Sequence, residues 1–114
     1  MKTKVKVKVN PGICGFTTAV TAVSEDSMNV DFRIGSACKI IKALAIALKE
    51  ITPINAYQEL DPRTESVVMK KAREMFMKKG CCEACVVPVA VCKAMYVAAG
   101  LALPKDVTLE IVKK

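Results

Sequence analysis

Residues 28–51, MNVDFRIGSACKIIKALAIALKEI, contain the change of period on which the fold turns. Met28, Val30, Phe32 and Ile34 alternate with Asn29, Asp31 and Arg33, which is the period of two of a half-buried strand, and Gly35 ends the run. Ser36 then suits a helix N-cap. Behind it Ile40, Ile41, Leu44, Ala45, Leu48 and Ile51 recur at helical spacing until Pro53 closes the segment.

On the N-terminal side, Val5, Val7 and Val9 alternate with lysines, and Phe16, Val20 and Ala22 fall on one parity of the next run. The two runs flank Asn10-Pro11-Gly12-Ile13-Cys14-Gly15 and predict a hairpin. On the C-terminal side, residues 55–60 predict one short helical turn. Asp61-Pro62 offers an N-cap followed by proline at the first helical position, opening a helix that carries Val68, Met69, Ala72, Met75 and Phe76 and ends at Gly80. Another helix starts at Pro88, runs through Ala99 and stops at Gly100 and Pro104. Val107, Leu109 and Ile111 then alternate as a fourth strand. The predicted order is β-β-β-α-α-α-β in a single α+β domain spanning residues 1–114. Clean sheet amphipathicity and segregated helices give an antiparallel or mixed four-stranded sheet, covered on one face by about three helices, with the last strand returning beside the first.

The 114 residues include six cysteines, Cys14, Cys38, Cys81, Cys82, Cys85 and Cys92, and no histidine. Without imidazole, Ser-His and Cys-His nucleophile pairs, His-ligated catalytic zinc and imidazole acid/base work are all absent, which argues against ordinary hydrolytic enzymes. A metal site here must be built mainly from thiolate, and such sites belong to zinc or iron–sulfur clusters. The first residues alternate lysine with valine and never open into the apolar run of a signal peptide. Lys42 and Lys49 interrupt the most apolar segment, so no membrane span is expected. A cytoplasmic setting follows, in which thiols stay reduced and clustered cysteines mean metal or redox chemistry more often than disulfides.

The net charge of +7 invites a nucleic-acid reading, since lysines release counterions from phosphate. Lys2, Lys4, Lys6 and Lys8, however, follow strand period and form one solvated face of an edge strand. Two Tyr, three Phe and no Trp supply a poor stacking platform. An acidic protein partner is the expected counterpart of the basic surface, and a homo-oligomer is left open.

The cysteines map onto element ends. Cys14 lies in a glycine-flanked turn, whose backbone amides approach sulfur closely. Cys38 is expected at the second position of a helix, where the macrodipole favours a thiolate. Cys81, Cys82 and Cys85 fall between the Gly80 stop and the Pro88 start. Cys92, at a spacing compatible with Val89, Met95 and Ala99, reads instead as a small buried hydrophobe. Cys82-x-x-Cys85 is half of a metal knuckle, and Cys14, Cys38, Cys81 and Cys85 make a quartet in which Cys82 competes for the fourth place. Ligands dispersed over a turn, a helix start and a distal loop suit a [4Fe–4S] cluster, with zinc as the alternative and a redox thiol at Cys38 as the third reading. Lys39, Lys78, Lys79 and Lys93 flank these segments and offset a negative site. Glu59, Asp61, Glu65 and Glu74 read as solvated charges, and Met69, Met75 and Met77 as core packing. Gly12-x-x-Gly15 lacks the strand-to-helix context of a phosphate loop.

The turn 10–16, Ser36-Ala37-Cys38, residues 81–88 and the tail VAAGLALPKDV at 97–107 together resemble a family of short uncharacterised proteins from anaerobic archaea and bacteria. The resemblance spans nearly the whole chain. It implies recurring cysteines at the positions of Cys14, Cys38 and Cys85, with Cys81 as the fourth, and carries no activity. Val86 stands where the family has a proline, and Cys82 is extra. An anaerobic setting implies an oxygen-sensitive cluster rather than zinc.

Overall fold

The computed structural model describes residues 2–61, 63–79 and 84–114. Strand β1 (Thr3–Val9) pairs antiparallel with β2 (Thr18–Ser24), from Thr3 opposite Ser24 to Val9 opposite Thr18. Strand β3 (Asn29–Ser36) pairs with β2 in turn, from Thr18 opposite Ser36 to Ser24 opposite Val30. The predicted alternation holds: Thr18, Val20, Ala22 and Ser24 are buried, while Lys4, Lys6 and Lys8 of the edge strand are exposed. Phe16 and Met28 depart from the expected face, lying before β2 and before β3 at 46% and 44% exposed. The β2–β3 turn is closed by Asp26, whose carboxylate accepts the backbone N–H groups of Met28 and Asn29 at 3.0 and 2.7 Å. Those bonds favour the charged form and hold its carboxyl down at about 2.

Helix α1 (Lys39–Ile51) buries Ile41, Leu44 and Leu48 and stops before Thr52-Pro53. It begins later than the expected Ser36 cap. The Ser36 hydroxyl is taken by the sheet, bonding Thr18 Oγ1 at 2.9 Å and accepting the Cys38 N–H at 3.1 Å, so Cys38 itself becomes the N-cap. The chain then forms strand β4 (Ile54–Asn55) against Asn29 and Val30, which completes the sheet in the order β1-β2-β3-β4. The fourth strand is therefore not the predicted one. Residues 102–114 have no regular secondary structure and are exposed throughout, because among the described residues no strand pairs with them. The observed order is β-β-β-α-β-α-α-α, an α+β fold with all strands antiparallel.

Asn55 caps helix α2 (Ala56–Leu60) by accepting the Tyr57 N–H at 2.9 Å. Helix α3 (Val67–Lys79) starts six residues beyond Asp61, correcting the expected start there; Pro62 lies outside the described residues, as does Gly80. Val68, Ala72 and Phe76 of α3 are buried and Met75 is half-buried, but Met69 and Met77 are exposed, so those two do not pack the core. Helix α4 (Val87–Ala98) carries Pro88 in its first turn, where the missing N–H costs nothing. It ends in a Schellman motif: Gly100 at φ +76° lets the Leu101 N–H reach Tyr96 O at 2.8 Å and the Gly100 N–H reach Val97 O at 3.1 Å.

All the large helices cover one face. Helix α4 packs on β1 and β2, α1 packs on β3, and α3 packs against both helices. Val20, Val30, Leu44, Leu48, Val91 and Met95 are sealed between them, each contributing about 2 kcal/mol of apolar burial.

Candidate metal centre

Sheet register brings two of the cysteines to one end of the molecule. Val9 pairs with Thr18 and Thr18 with Ser36, so the β1–β2 turn carrying Cys14 and the β3–α1 junction carrying Cys38 leave the sheet at the same edge of its strands. Cys14 is exposed in a turn held by the Gly12 and Gly15 backbones, both at positive φ, with the Gly15 N–H on Gly12 O at 3.0 Å. Cys38 is half-buried against the core. Its extended backbone (φ −72°, ψ 123°) directs the carbonyl to the Lys42 N–H at 2.9 Å, while its side chain makes no capping hydrogen bond. It stands one step before the helix rather than at the expected second position.

Cys85 is half-buried at the start of α4 and lines a shallow cleft with Met69, Ala72, Arg73, Phe76 and Pro88. Helix α1 runs from the Ser36 end to the β4 end, and α3 starts beside α2 and packs on α1. Helix α3 ends at Lys79, and residues 80–83 link it to Ala84. Cys81 and Cys82 belong to that link and lie outside the described residues. Among the described residues no three Cys, Asp or Glu side chains are gathered closely enough to hold a metal ion, and none of the described cysteines is in a disulfide. Lys39, Lys78 and Lys93 are exposed, and the side chain of Lys79 lies outside the described residues.

The remaining cysteine is built differently. Cys92 is buried within α4, where desolvation first, and the nearby Glu59 charge second, push its thiol up to about 11, despite hydrogen bonds with Ser66 and Tyr96. That environment disfavours a thiolate.

Glu59 overturns the expectation of a solvated charge. It is 4% exposed, and its carboxylate accepts the Ser66 hydroxyl at 2.7 Å and the Val67 and Val68 N–H groups at 2.9 and 3.0 Å. These are the first donors of α3, so a side chain from α2 caps a different helix. Ser66 completes the cap by accepting the Met69 N–H at 3.2 Å, and the Tyr96 hydroxyl donates to Glu59 O at 3.1 Å. Ser66 before an apolar pair was the sequence signal for this start. Nothing local pointed to Glu59.

Neither the curated proteins nor the solved structures contain a match to this chain. Its sequence matches the model of a family of unknown function, DUF6951, over residues 5–111, from β1 through the C-terminal tail, and the chain belongs to that family.

Proposed function

We propose that this protein carries a thiolate-ligated metal centre, a [4Fe–4S] cluster, and serves in electron transfer or as a cluster-carrying accessory module in the cytoplasm. The observation that carries the reading is the division among the cysteines. Cys92 is buried with its thiol raised, whereas Cys14 and Cys38 occupy connections at one end of the sheet and Cys85 precedes α4. Cys14, Cys38 and Cys85 with Cys81 or Cys82 supply four sulfurs, the number such a cluster takes. Among the described residues Cys14, Cys38 and Cys85 are not gathered into one group, so binding would draw the exposed turn around Cys14 toward the half-buried Cys38, coupling metal uptake to local ordering. When bound, the cluster supplies one-electron chemistry. The chain's own part is to hold the sulfurs and to offset their charge with Lys39, Lys78 and Lys93, and the same lysines suit an acidic protein partner.

Anaerobic purification tests this. The protein should be brown, with iron and sulfide near ~4 per chain. Single replacement of Cys14, Cys38 or Cys85 by Ala should remove most of the metal, and Cys92→Ala should keep it. Colourless protein holding one zinc per chain moves the reading to a structural-zinc interaction domain, and full metal retention in the Cys14 and Cys38 variants defeats the shared site.

A further inference from the structure

The C-terminal tail has the composition of a strand and the surroundings of none. Val107, Leu109 and Ile111 are 61%, 73% and 95% exposed, although they alternate with Thr108 and Glu110 in strict period two. The family match runs through residue 111, so this segment belongs to the sequence the family shares. At the same time β1 is a sheet edge, with β2 on one side and no strand on the other among the described residues. Its Val5 and Val7 are only half-buried.

The two match on both faces. If the tail adds beside β1 with its apolar parity on the valine side, Val107, Leu109 and Ile111 extend the helix-covered face. Asp106 and Glu110 then fall among Lys4, Lys6 and Lys8. Strand direction does not alter this. An antiparallel alignment sets Lys4 opposite Glu110, Val5 opposite Leu109, Val7 opposite Val107 and Lys8 opposite Asp106; a parallel one sets Lys4 beside Asp106 and Lys8 beside Glu110. Opposite charges and apolar pairs across a ladder each stabilise it by roughly 0.2–1 kcal/mol. The outer edge of β3, with Asp31 and Arg33 exposed, offers no such one-signed complement.

We propose that the occupant of the β1 edge is the tail of a second copy, exchanged reciprocally to make a twofold dimer. The hinge favours exchange over self-closure. Gly100 ends α4 in its Schellman turn, and Pro104, with φ fixed by its ring, biases Leu103 to extended backbone, which favours a chain that leaves its own body over one that doubles back. The exposure of all residues from 102 to 114 agrees with that departure. The inference is independent of what the cysteines hold.

Light scattering coupled to gel filtration of the full chain should give twice 12.3 kDa. Leu109→Asp with Ile111→Asp should return it to 12.3 kDa with the far-ultraviolet dichroism of the helices unchanged. Because those changes also add charge, a reversal gives the second arm: Lys4→Glu with Lys8→Glu should weaken the dimer several-fold, and adding Asp106→Lys with Glu110→Lys should restore it. A monomeric full chain overturns the proposal, whether its tail amides are protected from exchange by its own β1 or unprotected. So does a dimer that survives the Leu109 and Ile111 changes.

Discussion

Cys14 and Cys92 are the same residue type, one in an exposed turn and one within helix α4, and their surroundings have little in common. Around Cys14 the chain is exposed turn, with backbone hydrogen bonds confined to Asn10–Thr17 neighbours. Around Cys92 a carboxylate, a serine and a tyrosine fill the space between three helices, and no buried side-chain polar atom among the described residues lacks a partner. A cysteine in the second setting is spent on packing, and one in the first remains available for chemistry. The same contrast separates Glu59 from the surface acids. Residue type alone does not sort function from structure here; what the side chain is already bonded to does.

The largest effect expected from this contrast is kinetic. In metal-stripped protein at neutral pH, an alkylating reagent should modify Cys14 and Cys38 at least tenfold faster than Cys92, since rate follows thiolate fraction and access. In protein as purified anaerobically, Cys14, Cys38 and Cys85 should be slow together and accelerate in parallel when the metal is removed. Mass spectrometry of digests reads both. Rapid, metal-independent labelling of Cys38 would shift the reading to a redox thiol.

Next in size is stability. Glu59→Ala leaves the first N–H groups of α3 and the Ser66 hydroxyl without their acceptor in a buried site, and should cost about 2–4 kcal/mol in urea unfolding. Cys14→Ala at the exposed turn should stay within about 0.5 kcal/mol in the metal-stripped protein. Equal losses at the two positions would erase the distinction.

The smallest effect is on pH dependence. Cys92 and Tyr96 lose their protons at about 11 and about 12 in the fold, against ordinary values of 9.0 and 10.0, chiefly because burial disfavours their anions. Between those values the unfolded chain binds fewer protons than the native one. Stability is therefore intact below pH 9 and falls as pH rises through 11. Denaturant midpoints should decline across that window, and Cys92→Ala should flatten the decline without abolishing it, as Tyr96 remains.

Strands β1 to β3, helix α1 and the start of α4 were legible because each is decided by its own residues: lysine–valine alternation, the Ile41–Leu44–Leu48 stripe, Pro88 before an apolar run. Cys92 was legible for the same reason. The start of α3 was misread because Asp61-Pro62 is a genuine local start pattern, outweighed by a carboxylate that tertiary packing brings from α2 to Ser66. The tail shows the complementary failure. Its alternation is real, but a strand is a relation between two segments, and period two in Val107, Leu109 and Ile111 cannot say where the second segment is. The cysteines' positions at element ends were readable; which of those ends lie on the same side of the sheet was not, since that depends on strand register.

Glu59 ties α2 to α3 through its carboxylate and to α4 through its carbonyl, so none of these three can detach alone without breaking one of these bonds. A body stitched in that way opens first where the stitch is absent. Thermal opening should thus begin at the β1–β2 turn and the front of α1, leaving the Glu59 end as the last cooperative unit, so that breathing of the chain and access to the half-buried sulfur of Cys38 are one motion.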